Sequence, residues 1–212
     1  MINVKFESKN LTLSKDKCKQ LHIGKKKRNK EECKVSNKLL VHEDKMKVDD
    51  KIKYFGEVIT SSGLLDDNIE DRTNRAIGIR SKIKSLIDGI SLGSCHFEIC
   101  MIMREAVYLN SILVNAETWY SLTSKQISLL ESADISYLQI CFNSNAKTIR
   151  DSYYLETGII KIRHILAKRR IMFLQNILKR NPQLLLRKVY EVKKFDSNSL
   201  DWCDTVKNYL HY

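Results

Sequence analysis

From Asp66 onward the apolar residues of this chain recur three and four positions apart, and in one run they occupy nearly the whole circumference of a helix. That run extends from about Ser94 to Thr118. Its Ile99, Ile102, Met103, Ala106, Val107, Leu109, Ile112, Leu113 and Ala116 leave little polar surface, so it needs neighbours on all sides and is expected at the centre of a bundle. The flanking segments supply them. Asp66 or Asp67 caps a helix carrying Ile69, Thr73, Ala76, Ile83, Ile87 and Ile90, with Glu70 and Asp71 at its positive end and Gly89 and Gly93 marking its exit. Thr123 and Gln126 form a capping box ahead of inward-facing Ile127, Leu130, Leu138 and Cys141. Asn143–Lys147 is a polar break, and a short helix near Asp151–Thr157 ends at Gly158. The next helix, roughly 161–180, has the stripe Ile162, Ile165, Leu166, Phe173, Ile177 and Leu178. Asn181-Pro182 reads as a cap with Pro at the first position of a helix bearing Leu185, Leu186, Val189 and Tyr190. A last helix holds Trp202, Val206, Tyr209 and Leu210.

Before residue 62 the period is that of strands. Lys17–Gly24 alternates loosely, Leu39–Val41 is a short apolar run, and Lys51–Thr60 alternates until Gly56, where a bulge or a close backbone approach is expected. Ser61–Gly63 is a turn. Strands followed by helices predict an α+β chain, mainly α: a small antiparallel sheet at the N-terminus, then a helical bundle. The expected organisation is 1–62 with strands, 63–146 as a helical bundle and 147–212 as basic C-terminal helices.

The 212 residues carry a net charge of +12, which points to a polyanionic partner. The charge is clustered: +8 over 1–53, −4 over 54–146, +10 over 147–194 and −2 over 195–212. Lysines and arginines lining one side of a phosphate-tracking groove would be distributed in this way; two solvated basic faces without a ligand are the alternative. No apolar run reaches the length that spans a bilayer, and charges stand where a signal peptide needs an apolar stretch. The chain is therefore expected inside the cell, in cytoplasm or nucleus, with no membrane partner.

Catalytic signatures are missing: there is no Gly-rich phosphate loop, no H-E-x-x-H and no G-x-S-x-G. Asp49-Asp50 lies in a polar stretch and reads as a turn, and Asp66-Asp67 stands where a helix start would use it, so neither pair is read as a metal site. Cys18 and His22 with Cys33 and His42 could be read as zinc ligands, but the second half is too widely spaced for a usual knuckle or finger. The six cysteines read as reduced, mostly buried small hydrophobes. His164 is expected to pack or to touch phosphate.

Several stretches, in order, resemble the reverse transcriptases of animal non-LTR retrotransposons. They are Asn10–Ser14 with Lys17–Lys25, Lys53–Gly63, Asn115-Ala-Glu-Thr-Trp-Tyr120, Lys168-Arg-Arg-Ile-Met-Phe-Leu174, and Asp201-Trp202 with Thr205-Val206. The resemblance implies the end of the palm, a primer-grip-like strand at Tyr54-Phe55-Gly56, the thumb and the helices beyond it. Both catalytic aspartate motifs of that family should precede residue 1, together with the fingers and most of the palm. The implied role is a fragment of an RNA-directed DNA polymerase that binds primer and template backbone but is inactive alone. It would hold no cofactor itself, although the family uses Mg2+. The partners implied are RNA or an RNA–DNA hybrid, and the missing fingers and palm portion. Lys25, Lys26, Lys27, Arg28, Arg163, Lys168, Arg169 and Arg170 would then be backbone contacts. Tyr54 and Phe55 could brace the primer end, with strand packing as the alternative; Trp119 reads as core. A helical protein-interaction module with no nucleic-acid role is the alternative function.

Overall fold

The computed structural model describes residues 14, 18–21, 23, 40–41, 44–45, 47–89, 95–144, 149–194 and 202–210. The chain divides into two compact units, Met1–Asn68 and Ile69–Tyr212. The architecture is α+β and mainly α, as the change of period predicts.

In the first unit β1 (Lys19–Gln20) runs parallel to β4 (Lys47–Val48), while β2 (Leu40–Val41) pairs antiparallel with β3 (Asp44–Lys45). A parallel pair was not expected; the long connection between β1 and β4 is what permits one. The antiparallel sheet that the sequence predicts is the hairpin of β5 (Lys51–Tyr54) and β6 (Glu57–Thr60), in register from Lys51 opposite Thr60 to Tyr54 opposite Glu57. Gly56 is therefore no bulge within a strand. Phe55 (φ 45) and Gly56 (φ 82) form a two-residue turn with both φ angles positive, the type I′ geometry whose twist matches that of paired strands. The hairpin is tied to the start of the first helix, α1 (Asp66–Asp88): Lys51 Nζ lies 2.5 Å from Asp67 Oδ1, and the Val58 amide donates to Asn68 Oδ1.

The second unit is built around α2 (His96–Met103), prolonged by a π-helical stretch, Arg104–Leu109, and a last α turn, Asn110–Ile112. The helix ends at Ile112 rather than near Thr118; Asn115 takes a left-handed φ of 55, and Ala116–Thr118 forms a 3-10 turn. Nor is it buried all round, since Ile102 and Val107 are exposed. Cys100, Arg104, Tyr108 and Ile112 are buried at intervals of four. In an α-helix such a set would wind by about 40° per step, and the wider π turns hold it on one face.

Around it lie α3 (Ser124–Cys141), α4 (Arg150–Thr157), α5 (Ile162–Lys179), α6 (Leu185–Lys193) and α7 (Trp202–Leu210). The Thr123–Gln126 capping box is present, and Gly158 closes α4 with φ 64. Tyr108 and Tyr137 stack at 4.5 Å between α2 and α3, and Ile135, Leu138, Tyr153 and Tyr154 join α3 to α4. The buried stripe of α5 is Ile162, Leu166, Arg170, Leu174 and Ile177, whereas Leu178 is exposed. Pro182 does not open a helix: Asn181 Oδ1 accepts from the Gln183 amide in a side-chain-closed turn, and α6 begins three residues later. Among the described residues no helix is long and apolar enough to cross a membrane.

Candidate nucleic-acid interface

The Tyr54-Phe55-Gly56 segment forms the tip of the β5–β6 hairpin. Tyr54 is 61% and Phe55 79% exposed, so strand packing does not account for either ring. The rings meet edge to face with centroids 4.5 Å apart, which holds the pair as one aromatic projection. Lys53, on β5 beside the tip, is also exposed. An exposed ring has a face on which a base can stack, whatever the base, and a neighbouring ammonium suits the phosphate that follows it.

The basic helix is another matter. Arg163 is exposed but forms a two-pronged ion pair with Glu131, 2.6 Å from Nε to Oε1 and 2.8 Å from Nη2 to Oε2. These hydrogen bonds hold the Glu131 carboxyl below its ordinary range, against the opposing influence of burial. Arg169 donates to the Leu113 carbonyl at 2.7 Å and to Asn110 Oδ1 at 3.2 Å. From the other side Arg72, on α1, reaches the carbonyls of Ser111 and Val114 at 3.3 Å. Two arginines from distant helices thus satisfy the last carbonyls of the long central helix, at the end where its dipole favours cations. Arg170 is expected among the backbone contacts. It instead occupies a seat in the apolar stripe, buried, and its pKa is lowered by loss of solvation. Two of the five cations on α5, Arg169 and Arg170, thus serve packing. Lys168 is exposed and makes no ion pair or hydrogen bond among the described residues, and His164 is exposed beside it rather than packed. Lys25, Lys26, Lys27 and Arg28 lie outside the described residues, as do His22, Cys33 and His42 of the zinc reading.

The carboxylate pairs have local uses. Asp49 pairs with Lys19 at 2.8 Å, Asp67 pairs with Lys51, and Asp66 opens α1. Among the described residues no three His, Cys, Asp or Glu side chains come together as a metal site. Cys100 and Cys141 are buried, which raises both thiols above their ordinary range, while Cys95 is exposed. One buried charge pair went unread in the sequence: Arg104 donates to both oxygens of Asp134, at 2.8 and 2.6 Å, and Tyr154 adds its hydroxyl at 3.3 Å.

Three of the stretches that carry the resemblance meet in space. Arg170 donates to the Tyr120 carbonyl at 3.0 Å, Trp202 Nε1 donates to the Glu117 carbonyl at 2.6 Å, and Phe173 meets Trp202 edge to face at 5.7 Å. Trp119 is buried between these partners in sequence, as a core residue. What these stretches share is packing: they fix the turn that follows the central helix. Set against family models, curated proteins and solved structures, the chain matches none.

Proposed function

We propose that this chain binds RNA or an RNA–DNA hybrid, with the β5–β6 hairpin as its gripping element, and that it serves as the non-catalytic C-terminal portion of a reverse-transcriptase-like polymerase. The observation that carries this reading is the hairpin tip: Tyr54 and Phe55 project into solvent, and Phe55 does so from a backbone conformation that a bulky side chain disfavours. The net charge of +12 supplies a sequence-independent attraction for phosphates. Lys53 at the hairpin and Lys168 on α5 are the exposed cations assigned to backbone contacts; Arg169 and Arg170 act inside the second unit.

The test is a titration of labelled single-stranded RNA and of an RNA–DNA hybrid with the pure protein across a range of salt. Binding should be clear at low salt and fall steeply as ionic strength rises. Replacing Tyr54 and Phe55 together by Ala should weaken it roughly tenfold or more. Binding that survives that replacement unchanged removes the hairpin from the interface.

A second reading, a helical protein-interaction module, draws on α6, which has no buried residue and leaves Leu185 78% and Val192 74% exposed. It calls for little RNA binding at any salt.

A further inference from the structure

Within the second unit α1, the first turn of α2 and the C-terminal end of α3 enclose an open cleft of about 600 Å³. Its walls carry Arg80, Lys84 and Asp88 from α1, His96 from α2, and Gln139 and Asn143 from the end of α3. Lys84 is matched to Asp88 at 2.5 Å. Arg80 has no such match. Every other described arginine withdrawn from solvent is engaged: Arg75 with Asp71, Arg104 with Asp134, Arg187 with Glu191, and Arg72, Arg169 and Arg170 with carbonyl, amide or hydroxyl oxygens. Arg80 is half-buried and forms no ion pair or hydrogen bond among the described residues. The side-chain amides of Gln139 and Asn143, across the cleft, are equally unengaged among the described residues.

A half-buried guanidinium without a partner among the described residues and two unused amides line the same cleft, so it offers several donors to an anion, with Asp88 as its one carboxylate. The guanidinium fork matches two oxygens of a tetrahedral phosphate, and the amides can take a third from the opposite wall. Lys84 adds a second cation, partly spent on Asp88. The space is far larger than a carboxylate needs and accommodates a phosphate with its sugar. We propose that this cleft binds a phosphate group, anchored by Arg80 and completed by Lys84, Gln139 and Asn143. The phosphate belongs either to a mononucleotide or to an RNA strand. This site lies apart from the hairpin tip in sequence and chemistry and does not depend on it.

The test is calorimetric titration of the full chain with inorganic phosphate, with AMP and with a short single-stranded RNA. Phosphate or AMP should bind, and Arg80→Gln should weaken that binding about tenfold or more. Binding of the RNA alone, weakened to the same degree by Arg80→Gln, assigns the phosphate to a strand. Replacing Tyr54 and Phe55 should leave AMP binding intact, which separates this site from the hairpin. No binding in any arm, or an unchanged affinity in Arg80→Gln, overturns the proposal. Should Arg80→Gln lose its thermal transition, the exposed Lys84→Gln and Asn143→Ala take its place; each should weaken binding several-fold, and no effect from either overturns the assignment.

Discussion

Arg170 Nη1 donates to the hydroxyl of Tyr209 at 2.7 Å while Nη2 donates to the carbonyl of Tyr120 at 3.0 Å. A cation that is only 1% exposed is thus held between two neutral oxygens, linking α5 to α7 and to the turn after the central helix. Loss of solvation lowers its pKa, and the Tyr209 hydroxyl offsets part of that. Arg170→Ala removes the packing of the stem and the donor to the partly buried Tyr120 carbonyl. It should cost on the order of 3 kcal/mol in denaturant unfolding. Arg170→Met keeps most of the volume without the desolvated charge and should cost about half as much. An unshifted midpoint for Arg170→Ala would contradict the buried placement.

The Arg104–Asp134 pair should respond differently, because here both charges are buried and each neutralises the other. Burial is the largest influence on Arg104 and works against its charge, but the hydrogen bonds and negative charge of Asp134 outweigh it and raise its pKa. Asp134→Ala strands a guanidinium in the core and should destabilise by about 3–5 kcal/mol. Removing both charges, as Arg104→Met with Asp134→Leu, should cost clearly less than the sum of the single changes. A double-mutant cycle in urea measures the coupling directly; strict additivity would mean that the two groups do not interact.

Much of this bundle is written locally. The Thr123–Gln126 capping box and the left-handed Gly158 depend on residues within one turn, so the sequence displays them and the structure contains them. Arg170 was misread because a helical stripe is judged by apolar side chains, and a guanidinium on a long aliphatic stem can fill the same seat when oxygens wait at its end. Those oxygens come from Tyr120 and Tyr209, 50 and 39 positions away, which no local pattern reveals. The fourfold spacing of the buried Cys100, Arg104, Tyr108 and Ile112 is not marked by the apolar pattern of the run, and its meaning, a π-helical stretch, emerges only once the facing helices are in place. The cleft around Arg80 has the same character. Its donors come from α1 and from the end of α3 and the turn after it, and nothing in either segment alone marks a site.

The Arg163–Glu131 pair gives a pH signature. Arg163, and Lys161 more weakly, hold the Glu131 carboxyl below its ordinary range in the folded chain. A depressed carboxyl contributes stability that is complete above its unfolded value, about pH 4.3, and is lost as the pH falls through the lower folded value. The stability gap between the wild type and Arg163→Gln should therefore be full at neutral pH and close in that acid window. Because Arg163 is exposed, the gap should stay below about 1 kcal/mol and shrink with added salt. Unfolding curves at pH 7 and at pH 3 measure it; a gap that persists undiminished at the lower pH would show that the pair is not its source.

Phe55 offers the sharpest separation of stability from binding. It stands at φ 45 beside Gly56 at φ 82, so a bulky side chain occupies a turn position that favours Asn or Gly. Holding it there costs on the order of 1 kcal/mol. If the ring served the fold, it would be packed, but it is exposed and touches Tyr54 at the tip. Phe55→Asn should then stabilise the hairpin, slowing amide exchange in β5 and β6, while removing a stacking surface worth roughly 1–3 kcal/mol of RNA affinity. Phe55→Trp should keep the affinity and the strain together. A hairpin stabilised by Phe55→Asn with RNA affinity unchanged would mean that the strained ring does nothing for binding, and a hairpin weakened by it would mean that the turn is not of the I′ type.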